Sequence, residues 1–378
     1  MNALMPPILI GSEIYRGSSY GAWHPLHIPR VSTVMDLART LGWLPQAQYR
    51  VSPRAKPAAL LAFHTPDYLA ALQAAEASQS VSDDIRARYG LGSTANPVFP
   101  EMFRRPATGA GGVMLAAELV TCGGVVHVPG GGTHHAMADR ANGFCYLNDP
   151  VLCLLALRHH GLDRIAYIDI DAHHCDGVEA ALSGAEDMLL ISVHEEKRWP
   201  FTGALADEGA GRAINLPVPR GLNDTEMRTI LHRLILPALD QFAPQAIVLQ
   251  CGADAIAEDP LSRLDLSNNA HVEVALALRA QAPRLIVLGG GGYNPWSVAR
   301  LWTRIWGALN GREVAGLLPD AAQDVLDSLH WNRRAAGRNP PEAWRSTLND
   351  PPREGPVRAE VRERIAHLRG RVPGLSGR

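Results

Sequence analysis

The chain has 378 residues, of which 46% are hydrophobic and 20% charged, so it can bury a full hydrophobic core. We expect a single domain over residues 1–378, with its core at about 20–315 and an Arg- and Pro-rich C-terminal extension at about 331–378. The formal net charge of −2 provides no general attraction to nucleic acid or to an anionic membrane, so neither is an expected partner.

Signals for export or membrane insertion are missing from the sequence. Residues 1–15 carry no basic leader, and no run reaches the roughly 18 apolar residues that a membrane span needs. The cysteines show neither metal-finger spacing nor an even disulfide framework; they are Cys122, Cys145, Cys153, Cys175 and Cys251. These features predict a cytoplasmic protein.

Short β-rich runs alternate with helical stretches between about residues 120 and 290. The predicted strands are residues 125–128, 165–168, 189–193, 247–249 and 285–288. The predicted helices are residues 150–160, 224–242 and 268–280, of which the first and last follow capping side chains. This alternation predicts an α/β fold with a mostly parallel central sheet flanked by helices on both faces.

The tail beyond residue 331 is rich in arginine and proline. Residues 357–372 have the composition of an Arg-rich surface helix. We expect this segment to present a solvated, partly mobile surface rather than a binding site.

Residues 168–177, IDIDAHHCDG, end an apolar run with carboxylates and imidazoles. Because side chains alternate along a strand, Asp169, Asp171 and His173 are expected on one side and Ile168 and Ile170 on the other. Carboxylates crowded beneath helices repel one another and lose hydration unless a cation or hydrogen-bond donors compensate. A divalent metal site is the favoured interpretation, and a hydrogen-bonded polar strand end is the alternative.

Other predicted strands also end in glycine or polar residues, where open α/β sheets bind ligands. Five motifs follow one another along the chain: GGGTHHA at 130–136, GFCYLND at 143–149, DIDAHH at 169–174, GAD at 252–254 with DPL at 259–261, and GGGGY at 289–293. Together they resemble the histone deacetylase family, which includes bacterial acetoin-utilisation-type and acetylpolyamine deacylases on the arginase-like α/β fold. The resemblance spans most of residues 20–310.

The resemblance implies that Asp171, His173 and Asp254 are the metal ligands. One imidazole and two carboxylates leave a coordination position open, as catalytic zinc requires. Such ligands also accept ferrous iron or cobalt, so Zn²⁺ is the expected metal and Fe²⁺ the alternative.

The resemblance further implies that His134 and His135 are the general acid/base pair, backed by Asp169 and Asp176 respectively. Tyr293 would donate a hydrogen bond to the carbonyl oxygen as negative charge develops. Two ordinary loop histidines are the alternative for the pair. The glycine run before Tyr293 could instead cradle phosphate, but no Lys, Ser or Thr follows at P-loop spacing.

Substrate contacts follow from the same resemblance. Phe144 and Trp199 would form the walls of an acyl-lysine tunnel, although either ring could instead belong to the hydrophobic core. The Gly143 carbonyl would accept a hydrogen bond from the substrate amide. Ala95 stands where many relatives carry a peptide-gripping aspartate, and Leu261 where polyamine deacylases can carry a glutamate. The cleft is therefore expected to favour an acyl-lysine or another neutral amide over an acetylpolyamine, which carries a distal ammonium group.

A structural potassium ion is also implied. Its expected donors are oxygens from five residues: the Asp169 carboxylate, the Ser192 hydroxyl and the backbone carbonyls of Asp171, His173 and Val193. Oxygen donors suit such an ion, whose charge would offset the crowded aspartates. An ordinary hydrogen-bonded strand end is the alternative.

The sequence thus predicts a metal-dependent hydrolase that removes acetyl or other acyl groups from lysine in proteins, peptides or small molecules. An acetylpolyamine or other small-molecule amidohydrolase is the nearest alternative. A ureohydrolase is less favoured because Cys175 occupies the position at which two-metal relatives carry an aspartate ligand. A catalytically inactive acyl-lysine-binding protein is also less favoured, because it would not need His134, His135 and Tyr293 together. The acyl length and the oligomeric state stay open.

Overall fold

The β-rich runs form one parallel sheet in the computed structural model, which describes residues 5–332 and 335–371. The strands within these ranges are β1 (Ile8–Gly11), β2 (Tyr49–Val51), β3 (Gly124–Val128), β4 (Ile165–Asp169), β5 (Met188–Glu195), β6 (Ala213–Val218), β7 (Ala246–Gln250) and β8 (Arg284–Leu288). Their order across the sheet is β2-β1-β3-β8-β7-β4-β5-β6, and every neighbouring pair is parallel. The predicted α/β class is confirmed.

Each central strand supplies alternate residues to two separate apolar cores. In β4, for example, Ala166 and Ile168 pack into one core, while Ile165 and Tyr167 pack into the other. The strands are buried on both faces, which explains why they read as continuous apolar runs.

Helices cover both faces. They are α1 (Ile14–Gly17), α2 (Val31–Thr40), α3 (Pro57–Leu60), α4 (Pro66–Ser78), α5 (Asp83–Tyr89), α6 (Arg104–Leu119), α7 (Asp149–His159), α8 (Asp176–Leu182), α9 (Asp224–Ile230), α10 (Leu236–Phe242), α11 (Asn268–Arg279), α12 (Pro295–Leu309), α13 (Asp320–Asp327), α14 (Ala335–Arg338), α15 (Glu342–Ser346) and α16 (Ala359–Arg371). Helices α6, α7 and α8 pack on one face, and α2, α9–α13 and α16 pack on the other. No described helix has both the length and the apolar character needed to cross a bilayer.

The predicted helix at 224–242 has an unexpected interruption. A π-helical stretch, Leu231–Ile235, separates α9 from α10. Pro237 lacks an amide hydrogen, and its ring would clash with the carbonyl four residues earlier, so the regular hydrogen-bond ladder cannot continue there. The predicted helices at 150–160 and 268–280 lie within one residue of the observed α7 and α11.

The last residues of four strands lie in one row across the sheet. Val128 pairs with Leu288, Leu288 with Gln250, and Gln250 with Asp169. Because the strands are parallel and in register, the segments that follow them leave the same edge side by side. This row places the motif residues close together.

The packed unit extends beyond the expected core of about 20–315 at both ends. Strand β1 lies inside the sheet between β2 and β3. On α16, Val361, Ile365 and Leu368 are buried in the same core as the sheet. The expected Arg-rich surface helix is α16, most of whose described side chains are exposed, but the buried apolar stripe that packs this helix on the sheet was not expected. Val372, the last residue of the predicted helix, lies outside the described residues.

An ion pair fixes the start of this terminal helix to the core. Glu226, which is fully buried, accepts hydrogen bonds from Nε and Nη2 of Arg358 at 2.7 and 2.6 Å. Burial raises the pKa of Glu226, but Arg358 outweighs burial and lowers it below its usual value. A carboxylate with a lowered folded-state pKa stabilises the protein above its unfolded pKa, and this contribution is lost as the pH falls through the folded value.

We predict that Arg358→Ala lowers the free energy of unfolding by about 2 kcal/mol at pH 7, because Glu226 would keep its charge without its partner. The difference from the parent protein should shrink as the pH falls through the lowered pKa of Glu226, because the carboxylate then becomes protonated. Urea unfolding at pH 7 and over a series of acidic pH values measures this. Arg362→Ala, an exposed change on the same helix, is the control; equal losses in both variants would contradict the ion-pair explanation.

Candidate active site

Three metal-ligating side chains converge at the carboxyl edge of the sheet. Suitable atoms of Asp171, His173 and Asp254 all lie within 4.8 Å of one another, and all three residues are buried. His173 Nδ1 is 3.1 Å from Asp171 Oδ1 and 2.9 Å from Asp254 Oδ2. The sequence predicted this set, and the fold brings it together from the segments after β4 and β7.

The local backbone differs from the extended strand that the sequence predicted. Strand β4 ends at Asp169, and the chain then bends, because the Asp171 amide donates to Asp169 Oδ1 and the His173 amide donates to Asp171 Oδ1. Asp169 therefore separates from the other two residues and faces His134. Ile170 and Ala172 still continue the apolar face that Ile168 begins.

Glycine is required at two places around the ligands. A Cβ atom at Gly252 would lie 2.0 Å from Asp171 Oδ2, and one at Gly291 would lie 2.0 Å from Asp254 Oδ2. Side chains there would displace the carboxylates. The glycine runs of the sequence thus allow two backbone segments to approach the ligands closely.

The charges of the cluster fit a divalent cation. Burial and the neighbouring Asp171 carboxylate raise the pKa of Asp254 to about 6. Burial opposes a charge on His173, but its hydrogen bonds to Asp171 and Asp254 raise its pKa to about 10. The point between these groups therefore favours positive charge, and one nitrogen and two carboxylates are ligands that zinc and ferrous iron both accept.

His134 lies beside the ligands with its own carboxylate. Its Nδ1 is 2.7 Å from Asp169 Oδ2, which also accepts a hydrogen bond from the Tyr167 hydroxyl at 2.6 Å. Burial would lower the pKa of His134, but Asp169 and Asp171 outweigh burial and raise it to about 9. This ring therefore favours the protonated form at neutral pH.

His135 has the opposite tendency, although it also pairs with a carboxylate. Its Nδ1 is 2.6 Å from Asp176 Oδ1, and Asn142 donates to the other oxygen of Asp176. Burial and the charge of His134, whose ring centroid is 4.0 Å away, lower the pKa of His135 to about 4. The two rings therefore favour different protonation states at pH 7.

Tyr293 follows the four-glycine run and reaches the same cleft. Gly290 and Gly292, with φ of +130° and +133°, turn the backbone toward the site. The Tyr293 amide donates to Asp259 Oδ2 at 2.8 Å, which fixes the chain where the side chain begins. Burial raises the pKa of Tyr293 well above its usual value, so the phenol stays a neutral hydrogen-bond donor.

Of the three predicted ligands, His173 lines a cleft of about 600 Å³. Gly143, Phe144, Trp199 and Leu261 all line it, as does Ala95. The Trp199 ring lies 4.7 Å from that of His135, and the Phe144 ring lies 5.8 Å from that of Tyr293. Phe144 thus belongs to the cleft wall, and Trp199 is partly exposed at its mouth rather than in the core.

The expected potassium residues lie at the ends of neighbouring strands. Asp169 in β4 pairs in register with Ser192 in β5, and Val193 follows Ser192. The Ser192 hydroxyl is 2.9 Å from His194 Nδ1. The potassium site stays a prediction.

Several supporting residues were not assigned roles from the sequence. Asp259 accepts from the amides of Tyr293 and Leu261, and Gln250 Nε2 donates to Asp171 Oδ2 at 3.2 Å. Asp149 accepts from the amides of Gly132 and Thr133, which shapes the loop before His134. All three lie within or beside the five motifs, but which long-range partner each contacts is visible only in the folded chain.

Comparisons with known proteins agree with the motifs. The family model of the histone deacetylase domain matches residues 24–309. Histone deacetylase 9 of Arabidopsis thaliana is 36% identical over 316 residues, covering 80% of this chain and 73% of that protein. Acetoin utilization protein AcuC of Bacillus subtilis is 32% identical over 327 residues, covering 82% and 84%. The crystal structure of an HDAC homolog from Aquifex aeolicus superposes with a TM-score of 0.90 at 37% identity, covering 96% of this chain and 99% of that one.

We predict that Asp254→Ala lowers the bound metal to a small fraction of the parent content, because it removes one of three convergent ligands. The residue lies beyond a strand end, so the fold should persist. Metal analysis of the purified protein, with circular dichroism to check folding, measures this. The exposed change Asp240→Ala is the matched control, and an Asp254→Ala protein with full metal content would exclude this site.

Proposed function

Because the chain belongs to the histone deacetylase family, as its five motifs predicted, we propose that it removes acetyl or other acyl groups from lysine side chains. The acyl-lysine would be part of a protein, a peptide or a small molecule. One observation carries the proposal: His135, which favours the neutral form, His134, which favours the protonated form, and the neutral Tyr293 lie around the Asp171, His173 and Asp254 cluster, and His135, His173 and Tyr293 line both the cleft and the smaller cavity that adjoins it. These groups are what metal-assisted amide hydrolysis needs.

We propose zinc as the metal, with ferrous iron as the alternative, held by Asp171, His173 and Asp254. When bound, such a cation polarises an amide carbonyl and lowers the pKa of water to near 7. The glycines at positions 252 and 291 leave room for the Asp171 and Asp254 carboxylates.

His135 is the proposed general base. Its Nδ1 is held by Asp176, so Nε2 is the nitrogen left to take a proton from the attacking water. Its lowered pKa keeps it unprotonated at neutral pH. The water oxygen bonds to the carbonyl carbon, the carbon–nitrogen bond then breaks, and a proton from one of the two histidines goes to the leaving amine.

Tyr293 is the proposed oxyanion donor. Its phenol is neutral, and the Asp259 contact fixes its backbone beside the ligands. A hydrogen bond to an oxygen that gains negative charge is stronger in the transition state than in the ground state. Protonated His134, whose Nε2 is 3.8 Å from Asp171 Oδ1, would add positive charge beside the ligands.

Phe144 and Trp199 are the proposed walls for the aliphatic part of the lysine side chain, and the Gly143 carbonyl would accept the amide hydrogen. Burying methylene groups between two rings removes apolar surface from water. Leu261 gives a distal ammonium no carboxylate to pair with. This favours a lysine deacylase over the acetylpolyamine alternative.

Two further parts of the proposal concern ions and location. We propose that a potassium ion binds oxygens of Asp169, Asp171, His173, Ser192 and Val193. A cytoplasmic location is supported by the cysteines, which are all free thiols in the described residues.

The ureohydrolase alternative is disfavoured by Cys175. This cysteine is buried, and burial raises its pKa well above the usual value, so it is a poor ligand for a second metal.

The proposal is tested with a panel of acetyl-lysine and longer acyl-lysine peptides beside acetylpolyamines, assayed on protein of measured metal content. We predict that acyl-lysines have higher kcat/KM than acetylpolyamines, because neither Leu261 nor Ala95 supplies a carboxylate. A single acyl-lysine should react nearly as well as a long peptide, because Ala95 cannot accept hydrogen bonds from peptide amides. If acetylspermidine exceeds every acyl-lysine, the polyamine alternative replaces this proposal.

We predict that Tyr293→Phe lowers kcat by about a hundredfold or more, because it removes only the donor hydroxyl. Metal content should stay at the parent level. Steady-state kinetics and metal analysis measure this, with Tyr49→Phe, on the edge strand β2, as the control. An unchanged kcat would assign Tyr293 to packing.

A further inference from the structure

The mouth of the cleft carries an unusual balance of charge. Two arginines, Arg140 and Arg198, line it, and among the described residues that line it there is no aspartate or glutamate. Such a mouth repels cations and attracts anions. This bears on substrate choice beyond the acyl-lysine itself.

Arg140 is presented by a turn that is fixed on both sides. The Met137 amide donates to the Arg140 carbonyl, and the Ala141 amide donates to the Tyr89 carbonyl. Two residues later, Asn142 binds Asp176, the partner of His135. The guanidinium therefore extends from a rigid backbone near the reacting groups. Its ion-pair partner is the exposed Asp139 at 3.8 Å, which is a weak interaction.

Arg198 precedes Trp199, whose ring covers His135. It binds the buried Glu195 through Nε and Nη2 at 2.6 and 2.7 Å. The same carboxylate also lies 3.5 Å from Arg220, so one negative charge serves two guanidinium groups. Glu195 can therefore neutralise only one of these two guanidinium charges.

We propose that this mouth recognises a carboxylate on the substrate, and that the preferred substrates are acyl-lysines with an anionic group close to the acylated side chain. This inference rests on the proposed deacylase function and names its substrate class. The Arg140 guanidinium can bind a carboxylate with two parallel hydrogen bonds, which are stronger than bonds between neutral groups, while Arg198, whose Nε and Nη2 already bind Glu195, adds positive charge. The carboxylate comes either from a free lysine C-terminus or from an acidic neighbour in a peptide.

The test compares two matched substrates, Nα,Nε-diacetyl-lysine with a free carboxylate and the same molecule as its C-terminal amide. We expect kcat/KM to be about tenfold higher for the free acid, and the ratio to fall as salt screens the attraction. Arg140→Gln should bring the ratio close to one. Arg50→Gln, an exposed arginine on the edge strand β2, should keep the parent ratio.

Arg198→Gln is a second variant, checked by circular dichroism because it also removes a partner of buried Glu195. Blocked peptides with aspartates beside the acyl-lysine, compared with lysine-flanked ones, distinguish the two sources of the carboxylate. If the amide reacts as well as the acid, and aspartate-flanked peptides have no advantage, this inference fails while the deacylase function stands. If no acyl-lysine is hydrolysed by metal-loaded protein, the proposed function fails and this inference fails with it.

Discussion

The burial of two carboxylates beside one imidazole is the constraint on which the rest of the site depends. Asp171 and Asp254 lie at the ends of adjacent strands, nearly inaccessible to water, and each disfavours the charge of the other. Backbone amides of Ala172, His173 and Gly291 donate to them, so part of the cost of desolvation is offset by the fold itself. The remaining negative charge makes this point suitable for a divalent cation. The glycine-rich segments approach the two carboxylates so closely that a side chain on Gly252 or Gly291 would not fit.

The tandem histidines have opposite pKa shifts. Asp169 and Asp171 outweigh burial and raise the pKa of His134, whereas burial and the positive charge of His134 lower the pKa of His135. Adjacent rings of identical chemistry thus acquire pKa values of about 9 and about 4. Such a separation is how paired titratable groups become a base and an acid within one site.

The charge of the cleft mouth comes from residues other than the three predicted ligands. Arg140 and Arg198 come from a turn and a loop that do not supply ligands, and their supports, the Tyr89 carbonyl and the Glu195 carboxylate, are also outside the metal cluster. The chemistry and the selection of substrates can therefore vary separately: the inner groups depend on strand ends in register, whereas the mouth depends on loops.

The sequence by itself determined the α/β class, the strands from β3 to β5 and β7 to β8, and the identity of the residues that converge, because strand ends with polar residues meet at one edge of a parallel sheet. It could not locate β1, β2 and β6, which are short or contain proline and have weak local signals. The resemblance had paired Asp169 with His134, but the bend after β4 that separates Asp169 from the ligands was not expected from a continuous strand. The sequence also predicted the exposed face of the terminal helix but not the buried apolar stripe through which that helix packs on the sheet. The opposite pKa shifts of His134 and His135, the role of Asp259 behind Tyr293 and the paired arginines at the mouth were decided by the tertiary structure alone, because each depends on contacts between residues far apart in the chain.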